Sequence, residues 1–576
     1  MPLETLQPGK VRAHLNSLLE DKPITEASLR SPHIEEANSL LKASGGNLGV
    51  APHSSTTLLW DLENYYSGYY ELLISGGRDA TVRIIWAEGL YENLTFRDNQ
   101  KNDRREIVGK FLPEGLGDRF VPDGSEDRRF TPIWWRAGRY CLIQIETAQH
   151  SLELKKLSLH ASGHPFDWQG TFSSDQDDRL APILKASKRT LEVSSWDTYQ
   201  DCPYYEQLMY VGDTCIELLI TYAQAKDSAL PQRVIELYES SREQWNGLVA
   251  SRFPSQTPQF ISTFSMIWVW IARDYLYWQD DPEFAAQLLP GLRHSMERFA
   301  AWEDEDGLIE NVPGWPFVDW VDEWEEGVPN KGRDGVSSVL NLIYLLTLQA
   351  ASAIELAIGE PELAALFERR SQNVSHLLRT RYWNKERSLI QDDESAKAYS
   401  IHAQILGTLT GVIDDQEACD AFQAASSSSD VSVASYMFRH YHFEALRKIG
   451  KGSQILTELE AWQGMIDLGA DTVWERLEPT RSDCHAWSSH PLFHLPCSVA
   501  GVRPSAPFFK EIEIAPQPGP LTFIKTTVPH PQGLISLDLR FENGNCQGSV
   551  ELPAETSGKF SYAGQEVNLV AGYQKL

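Results

Sequence analysis

From about residue 170 to residue 500 the chain reads as helical throughout. Apolar residues recur at i, i+3, i+4 and i+7, as at Val336, Val339, Leu340 and Ile343. The spacing predicts helices over 178–197, 205–226, 229–247, 260–279, 282–303, 335–358, 360–382, 398–410, 415–425, 431–449, 452–466 and 485–500. Helices in that number, joined by loops, fit a ring of six antiparallel hairpins, an (α/α)6 barrel. A helical solenoid is the alternative, but the sequence shows no repeat of fixed period.

Both flanks of this zone carry the period-2 signal of strands. Residues 69–75, 80–86 and 140–147 alternate or are β-branched, and turn punctuation such as Gly76-Gly77-Arg78-Asp79 separates them. A short helix is predicted over 34–43, and the charged stretch 98–129 reads as a long loop or hairpin excursion. Beyond the helices, 511–514, 521–528, 534–541 and 548–552 read as strands around Pro and Gly turns. At 576 residues the chain exceeds one ordinary core. The expected fold class is therefore multidomain α and β: an N-terminal β-sandwich (1–168), an (α/α)6-barrel catalytic domain (169–502) and a small C-terminal β-sandwich (503–576).

Bulk chemistry excludes several roles. The net charge of −29 argues against a nucleic-acid partner, which needs a basic face, and against anionic membranes. No run of 18 apolar residues suggests a membrane span. The N-terminus lacks a basic segment followed by an apolar one, so a cytoplasmic location is the expectation. Seven sparse cysteines without a CxxC pair predict free thiols rather than a zinc cage. On that reading the sequons at Asn93 and Asn373 are chance matches. Phosphate-loop, dinucleotide, zincin, EF-hand and nucleophile-elbow motifs are all missing. Whether the chain forms a homo-oligomer stays open.

The chemistry concentrates in two acidic, aromatic segments. The first is Asp201-Cys-Pro-Tyr-Tyr-Glu206-Gln-Leu-Met-Tyr210-Val-Gly-Asp213. The second is Trp474-Glu475-Arg476 followed by Ser482-Asp-Cys-His485-Ala-Trp487. Carboxylates among aromatic rings suit sugar cleavage, because acids move protons and rings stack on pyranose faces. Pro203 at a first helical turn would start a helix on which Glu206 and Asp213 share a face, with Asp201 at its mouth. The blander alternative makes Asp201 an N-cap, Glu206 and Asp213 solvated acids and Glu475 a surface acid paired with Arg476. A third cluster, Trp315-Pro-Phe-Val-Asp319-Trp320-Val-Asp-Glu-Trp324, serves either a sugar pocket or a core.

With the strand segments 58–64 and 68–72, the Trp134-Trp-Arg-Ala-Gly-Arg-Tyr140 segment and Arg481-Ser-Asp-Cys-His-Ala-Trp487, these motifs resemble the α-L-rhamnosidases of glycoside hydrolase family 78. The resemblance covers most of the chain. It implies inverting hydrolysis of terminal α-L-rhamnosides without a cofactor, on a carbohydrate substrate that is a small glycoside or an oligosaccharide, with small glycosides favoured over polymers since the chain is short for the family. By motif position Glu206 matches the general acid and Glu475 the general base. Asp201 and Asp213 match acids that hold rhamnose hydroxyls, His485 the histidine after the base, and Trp320 a ring walling the pocket. Tyr210, Asp319 and Trp474 complete the candidate substrate-binding set. Inversion requires carboxyls roughly 6.5–9.5 Å apart. Many members carry Arg where this chain has Tyr204 or Tyr205, and Trp where it has Tyr210, which alters the subsite contacts. The rival functions are an (α/α)6 enzyme acting on another sugar or by lyase chemistry, and a non-catalytic sugar-binding relative.

Overall fold

The structure, a computed structural model, describes residues 3–15, 23–31, 33–93, 100–112, 117–331, 335–394 and 398–576. The sequon at Asn93 and the stretch 98–129 each lie partly outside them. The chain divides into two compact units. The first comprises Met1–Pro165, Pro182–Gln207 and Ala461–Ser489; the second comprises Phe166–Ala181, Leu208–Glu460 and His490–Leu576.

The first unit is built on a sheet of nine strands among the described residues. Its organising element is the strand Ser55–Gly76, which is 22 residues long. One strand of that length pairs with several neighbours because its register breaks between Asp61 and Tyr66, where Glu63 has φ 56°. Residues before the break pair with Lys10–Leu15 and Arg136–Glu146, and residues after it pair mainly with Leu152–Ser162. Alternate side chains bury Trp60, Tyr70, Trp86, Ile143 and Leu157 in one continuous apolar cluster. The strands predicted over 69–75, 80–86 and 140–147 fall on real strands. The helix predicted over 34–43 is shorter, Ile34–Ser39.

In the second unit, helices buried on every side alternate with helices that keep one polar face. All of Val211–Gln224 is buried, as is nearly all of Ser262–Trp278, the pattern of inner helices. Val211–Gln224 packs on Ser262–Trp278, that helix on Ser338–Ile358, and the series continues through Ile401–Thr410 to Tyr436–Lys448. The segment 491–499 packs on both Val211–Gln224 and Tyr436–Lys448, so the series returns to its start. Pro361–Tyr382 and Asp415–Ser426, with exposed polar faces, lie against Ser338–Ile358 and Ile401–Thr410 respectively. Ser338–Ile358 has the length and hydropathy to cross a membrane. It is nonetheless a core helix whose fully buried polar groups are satisfied by protein. Asn341 donates to the Ile309 carbonyl at 3.0 Å, and Glu355 takes a bidentate pair from Arg293.

Three predicted helices are broken, among them 452–466, which splits into the turn Gly452–Gln454 and the helices Ile455–Glu458 and Glu460–Asp467. Residues 282–303 form two helices, Pro282–Gln287 and Leu289–Ala300. Residues 485–500 become 3₁₀, α and π turns, with Pro491 and Pro496 removing donors from any regular ladder. The C-terminal strands Phe523–His530, Gly533–Glu542, Asn545–Tyr562 and Gln565–Lys575 form an antiparallel meander. The last of these strands escapes the sequence pattern.

All seven cysteines are free. Among the described tryptophans only Trp134, 57% accessible, and Trp320, 45% accessible, are exposed. Fully buried Leu342 tests the helical core. Leu342→Ala is expected to lower unfolding free energy by about 2–5 kcal/mol in chemical denaturation.

Candidate active site

Asp201 to Glu206 form a tight turn rather than a helix. The Gln207 amide donates back to the Cys202 carbonyl at 3.0 Å, and Gln207 adopts φ 56°. A left-handed residue cannot continue a right-handed helix. Tyr210 is extended, and the chain around it pairs with 251–253: Val211 N donates to Ser251 O at 3.0 Å and Phe253 N to Met209 O at 3.2 Å. The helix therefore starts at Val211, not 205. Glu206 and Asp213 do not share a helix face, which corrects the sequence expectation.

Two tyrosines fix the turn. Tyr204 is buried and donates to the Trp86 carbonyl at 2.8 Å, while the Tyr205 hydroxyl meets that of Tyr91 at 3.1 Å. These side chains pin the turn to the strand that carries Trp86 and to the loop that carries Tyr91. Glu206 is left partly exposed.

Glu475 sits on an irregular hairpin. His485 N donates to Val473 O at 3.0 Å, and Glu475 N to Ser482 O at 3.1 Å. At its far side Arg481 reaches both candidate carboxylates. Its Nη2 lies 2.6 Å from Glu206 Oε1 and its Nε lies 3.6 Å from Glu475 Oε2. The same guanidinium lies over the Tyr205 ring at 5.2 Å. Burial works against the Arg481 charge, but Glu475 and the bond to Glu206 outweigh it and hold the guanidinium firmly protonated. Sequence reasoning assigned Arg481 no role. Its signal was the absence of arginine at 204 and 205.

A buried ion network holds this hairpin. Asp483 accepts from Lys101 Nζ at 2.8 Å and from Arg104 Nη2 at 2.8 Å and Nε at 3.1 Å. Lys101 also donates to the Arg481 carbonyl at 2.9 Å, and Arg104 pairs with Glu478. Glu88 accepts from Asp483 N at 3.0 Å and from the Tyr65 hydroxyl at 2.7 Å. Burial would raise the Asp483 carboxyl, but Arg104 and Lys101 bring it down to about 2. Burial pushes Glu88 up to about 7, with Lys101 opposing and Asp483 reinforcing.

The remaining candidates separate into exposed and buried groups. Asp201 is buried; its carbonyl accepts from Ala486 N at 2.8 Å, and its carboxylate accepts from the Cys202 thiol at 3.1 Å. His485 is buried against Trp487 at 4.0 Å between rings. Trp474 does not face a sugar: it is 1% accessible and lies under the Arg104 guanidinium at 3.8 Å.

In the second unit, Asp213 occupies the first turn of Val211–Gln224 and Tyr210 precedes it, its hydroxyl accepting from Arg252 at 2.8 Å. Asp319 is fully buried. It binds His402 Nε2 at 2.7 Å, Ser435 N at 2.9 Å and Trp320 N at 3.0 Å, together with the Ser435 hydroxyl. It is an anchor for Trp320, not a sugar ligand. Trp320 ends an aromatic row that runs from Tyr210 through Phe264 and Phe317.

Among the described residues, two buried groups bring three metal-capable donors within 4.8 Å of one another: Asp201, Cys202 and His485, and His440, His490 and His494. Burial raises the Cys202 thiol well above its ordinary range, which suits a hydrogen-bond donor to Asp201 rather than a thiolate ligand. His440 and His494 bond each other at 3.0 Å, and burial lowers His440 to about 4, keeping that pair neutral.

The chain matches the family model for the bacterial alpha-L-rhamnosidase 6 hairpin glycosidase domain over residues 167–499. It matches the bacterial alpha-L-rhamnosidase C-terminal domain over 501–575. The first match alone spans more than half of the sequence, so the chain belongs to the bacterial α-L-rhamnosidase six-hairpin glycosidase family. No curated protein sequence matches it.

Among solved structures it is similar to the GH78 family rhamnosidase of Bacillus sp. GL1, with a TM-score of 0.79 and 23% identity, over 92% of this chain and 55% of that one. The rhamnosidase from Klebsiella oxytoca with rhamnose bound gives a TM-score of 0.68 at 18% identity, over 86% of this chain and 95% of that one. The Streptomyces avermitilis α-L-rhamnosidase complexed with L-rhamnose gives 0.67 at 15% identity, over 92% and 54%. At these identities the likeness is one of fold. The chain spans about half the length of the Bacillus protein.

Two outcomes test the network. Asp483→Asn removes the carboxylate that buried Lys101 and Arg104 share and is expected to cost about 3–5 kcal/mol in denaturant unfolding. The two carboxyls act oppositely with pH. The depressed Asp483 contributes stability above its unfolded value near pH 4, lost as pH falls toward 2. The raised Glu88 contributes stability below about pH 4.5, lost as pH rises through 7. Unfolding free energy measured against pH should therefore fall on both sides, and Glu88→Gln should flatten the limb between pH 5 and 7.

Proposed function

We propose that this chain is an exo-acting glycoside hydrolase that removes terminal α-L-rhamnosyl residues from small glycosides or oligosaccharides with inversion. The observation that carries the reading is the pair Glu206 and Glu475, 269 residues apart in sequence and reached by one guanidinium, that of Arg481. Glu206 donates its proton to the glycosidic oxygen. Glu475 takes a proton from water attacking the opposite face of the anomeric carbon. Asp201 and Asp213 accept hydrogen bonds from ring hydroxyls, His485 flanks Asp201, and Tyr210 and Trp320 supply ring faces. The chemistry uses side chains and water alone.

In this reading residues 169–502 close as an (α/α)6 barrel between an N-terminal β-sandwich (1–168) and a C-terminal one (503–576). The helix series that returns to its start, the six-hairpin family description and the limits of the two family matches support it.

Turnover of 4-nitrophenyl α-L-rhamnopyranoside, with the anomer of the released sugar followed by NMR, tests the reading. Inverted L-rhamnose is the expected product; retained configuration, an unsaturated product or no turnover defeats it. Glu206→Gln and Glu475→Gln are each expected to lower kcat by roughly 10²–10⁴-fold, with Tm little changed. Arg481→Met removes the cation shared by the two carboxylates. It should lower kcat/KM and change the pH–rate profile, whereas a merely structural arginine would change Tm alone.

A further inference from the structure

Most tryptophans of this chain are interior, but Trp134 is 57% accessible and the preceding Ile133 is fully exposed. Two consecutive large apolar residues exposed to water call for an occupant. Their place suggests which one. The Trp134 indole N–H donates to Gln207 Oε1 at 2.8 Å, and Gln207 follows Glu206 directly. Gln207 is itself fixed, its Nε2 donating to the Pro203 carbonyl at 2.9 Å. Behind Trp134 the rings are stacked: Trp134 on Trp135 at 6.3 Å and 24°, then Trp135 on Trp196 at 4.5 Å and 14°. An exposed ring held from the edge and from behind is a preorganised platform, not a loose surface residue.

We infer that Ile133 and Trp134 form the leaving-group subsite and select planar aromatic aglycones. This deepens the reading of Glu206 as the general acid and rests on it. An acid protonates the oxygen that joins sugar to leaving group, so the leaving group departs on the side of Glu206, where Trp134 is anchored. The chemistry of the patch favours an aryl ring over a second sugar. A sugar requires hydrogen-bond partners for its hydroxyls, and the one polar side-chain atom of this pair is already engaged with Gln207. What remains is an indole face and a branched alkyl group, which suit a flat apolar ring.

The test compares kcat/KM on 4-nitrophenyl α-L-rhamnopyranoside with kcat/KM on methyl α-L-rhamnopyranoside. Trp134→Ala is expected to lower the aryl-to-methyl ratio roughly 3- to 10-fold, the range of one lost aromatic stack, chiefly through the aryl KM. Trp134→Phe, which keeps a ring, should retain most of the ratio. Ile133→Ser, at a fully exposed position, should move it in the same direction as Trp134→Ala and carries the test if Trp134→Ala does not fold. A ratio within twofold of the parent in both Trp134→Ala and Ile133→Ser overturns the inference while leaving the hydrolase reading standing. A parent protein that turns over neither glycoside overturns the hydrolase reading, and the subsite with it.

Discussion

The Asp483 carboxylate, buried between Lys101 and Arg104, is the interaction on which the candidate catalytic hairpin depends. Three charges without water cost several kcal/mol each to desolvate, and they are tolerable only while each faces its partner in good geometry. The network is therefore a poor source of net stability but a strict fixer of position. Lys101 grips the Arg481 carbonyl as well as Asp483, Thr472 donates to the Asp483 carbonyl, and Glu88 receives the Asp483 amide. Sliding the hairpin by one residue would strand two cations in the interior. Glu475 and Arg481, on opposite arms of that hairpin, inherit its fixed register.

The parts legible in the sequence are those where the side-chain pattern reports burial directly. Inner helices such as Ser262–Trp278 show as long apolar runs and outer ones such as Asp415–Ser426 as half-polar runs, so the helical zone and strands on either side of it could be read in outline. The pattern misleads where a local conformation overrides it. The stretch 205–226 has helical spacing, but a left-handed Gln207 and the pairing of 209–211 with 251–253 delay the helix to Val211. The charged stretch 98–129 misleads differently. Lysine and arginine suggest solvent, yet Lys101 and Arg104 are buried. Their partner lies some 380 positions away in sequence, and no local pattern reports a pairing of that separation.

The candidate site was legible in residue type more than in geometry. Glu206, Glu475, Asp201 and His485 were singled out, and the structure sets them in one unit. Trp474 and Asp319 were singled out by the same aromatic-acid composition, and in the structure both are buried against side chains they hold. An aromatic ring beside an acid marks a sugar site only if its face is free, and the Trp474 face is covered by Arg104. Asp319 likewise spends its oxygens on His402, Ser435 and the Trp320 amide. Both hold a neighbour in place, and only packing distinguishes such a residue from one that meets substrate.

The tyrosines at 204 and 205 show how a local substitution is absorbed. An arginine next to the acid would bring a cation from the turn itself. Here the turn spends those two side chains on the Trp86 carbonyl of the sheet and on the Tyr91 hydroxyl beyond it, and the guanidinium comes from the hairpin that carries Glu475. Arg481 links the two glutamates. A cation borne by the hairpin touches both carboxylates, so a displacement of either segment is felt at the other. It also makes the acid's electrostatics depend on the Lys101–Asp483–Arg104 network, because that network fixes where Arg481 leaves the backbone. Residues some 380 positions apart in sequence thereby set the surroundings of Glu206: buried ion pairs hold the hairpin, Lys101 holds the Arg481 carbonyl, and the partly exposed Arg481–Glu206 pair completes the link.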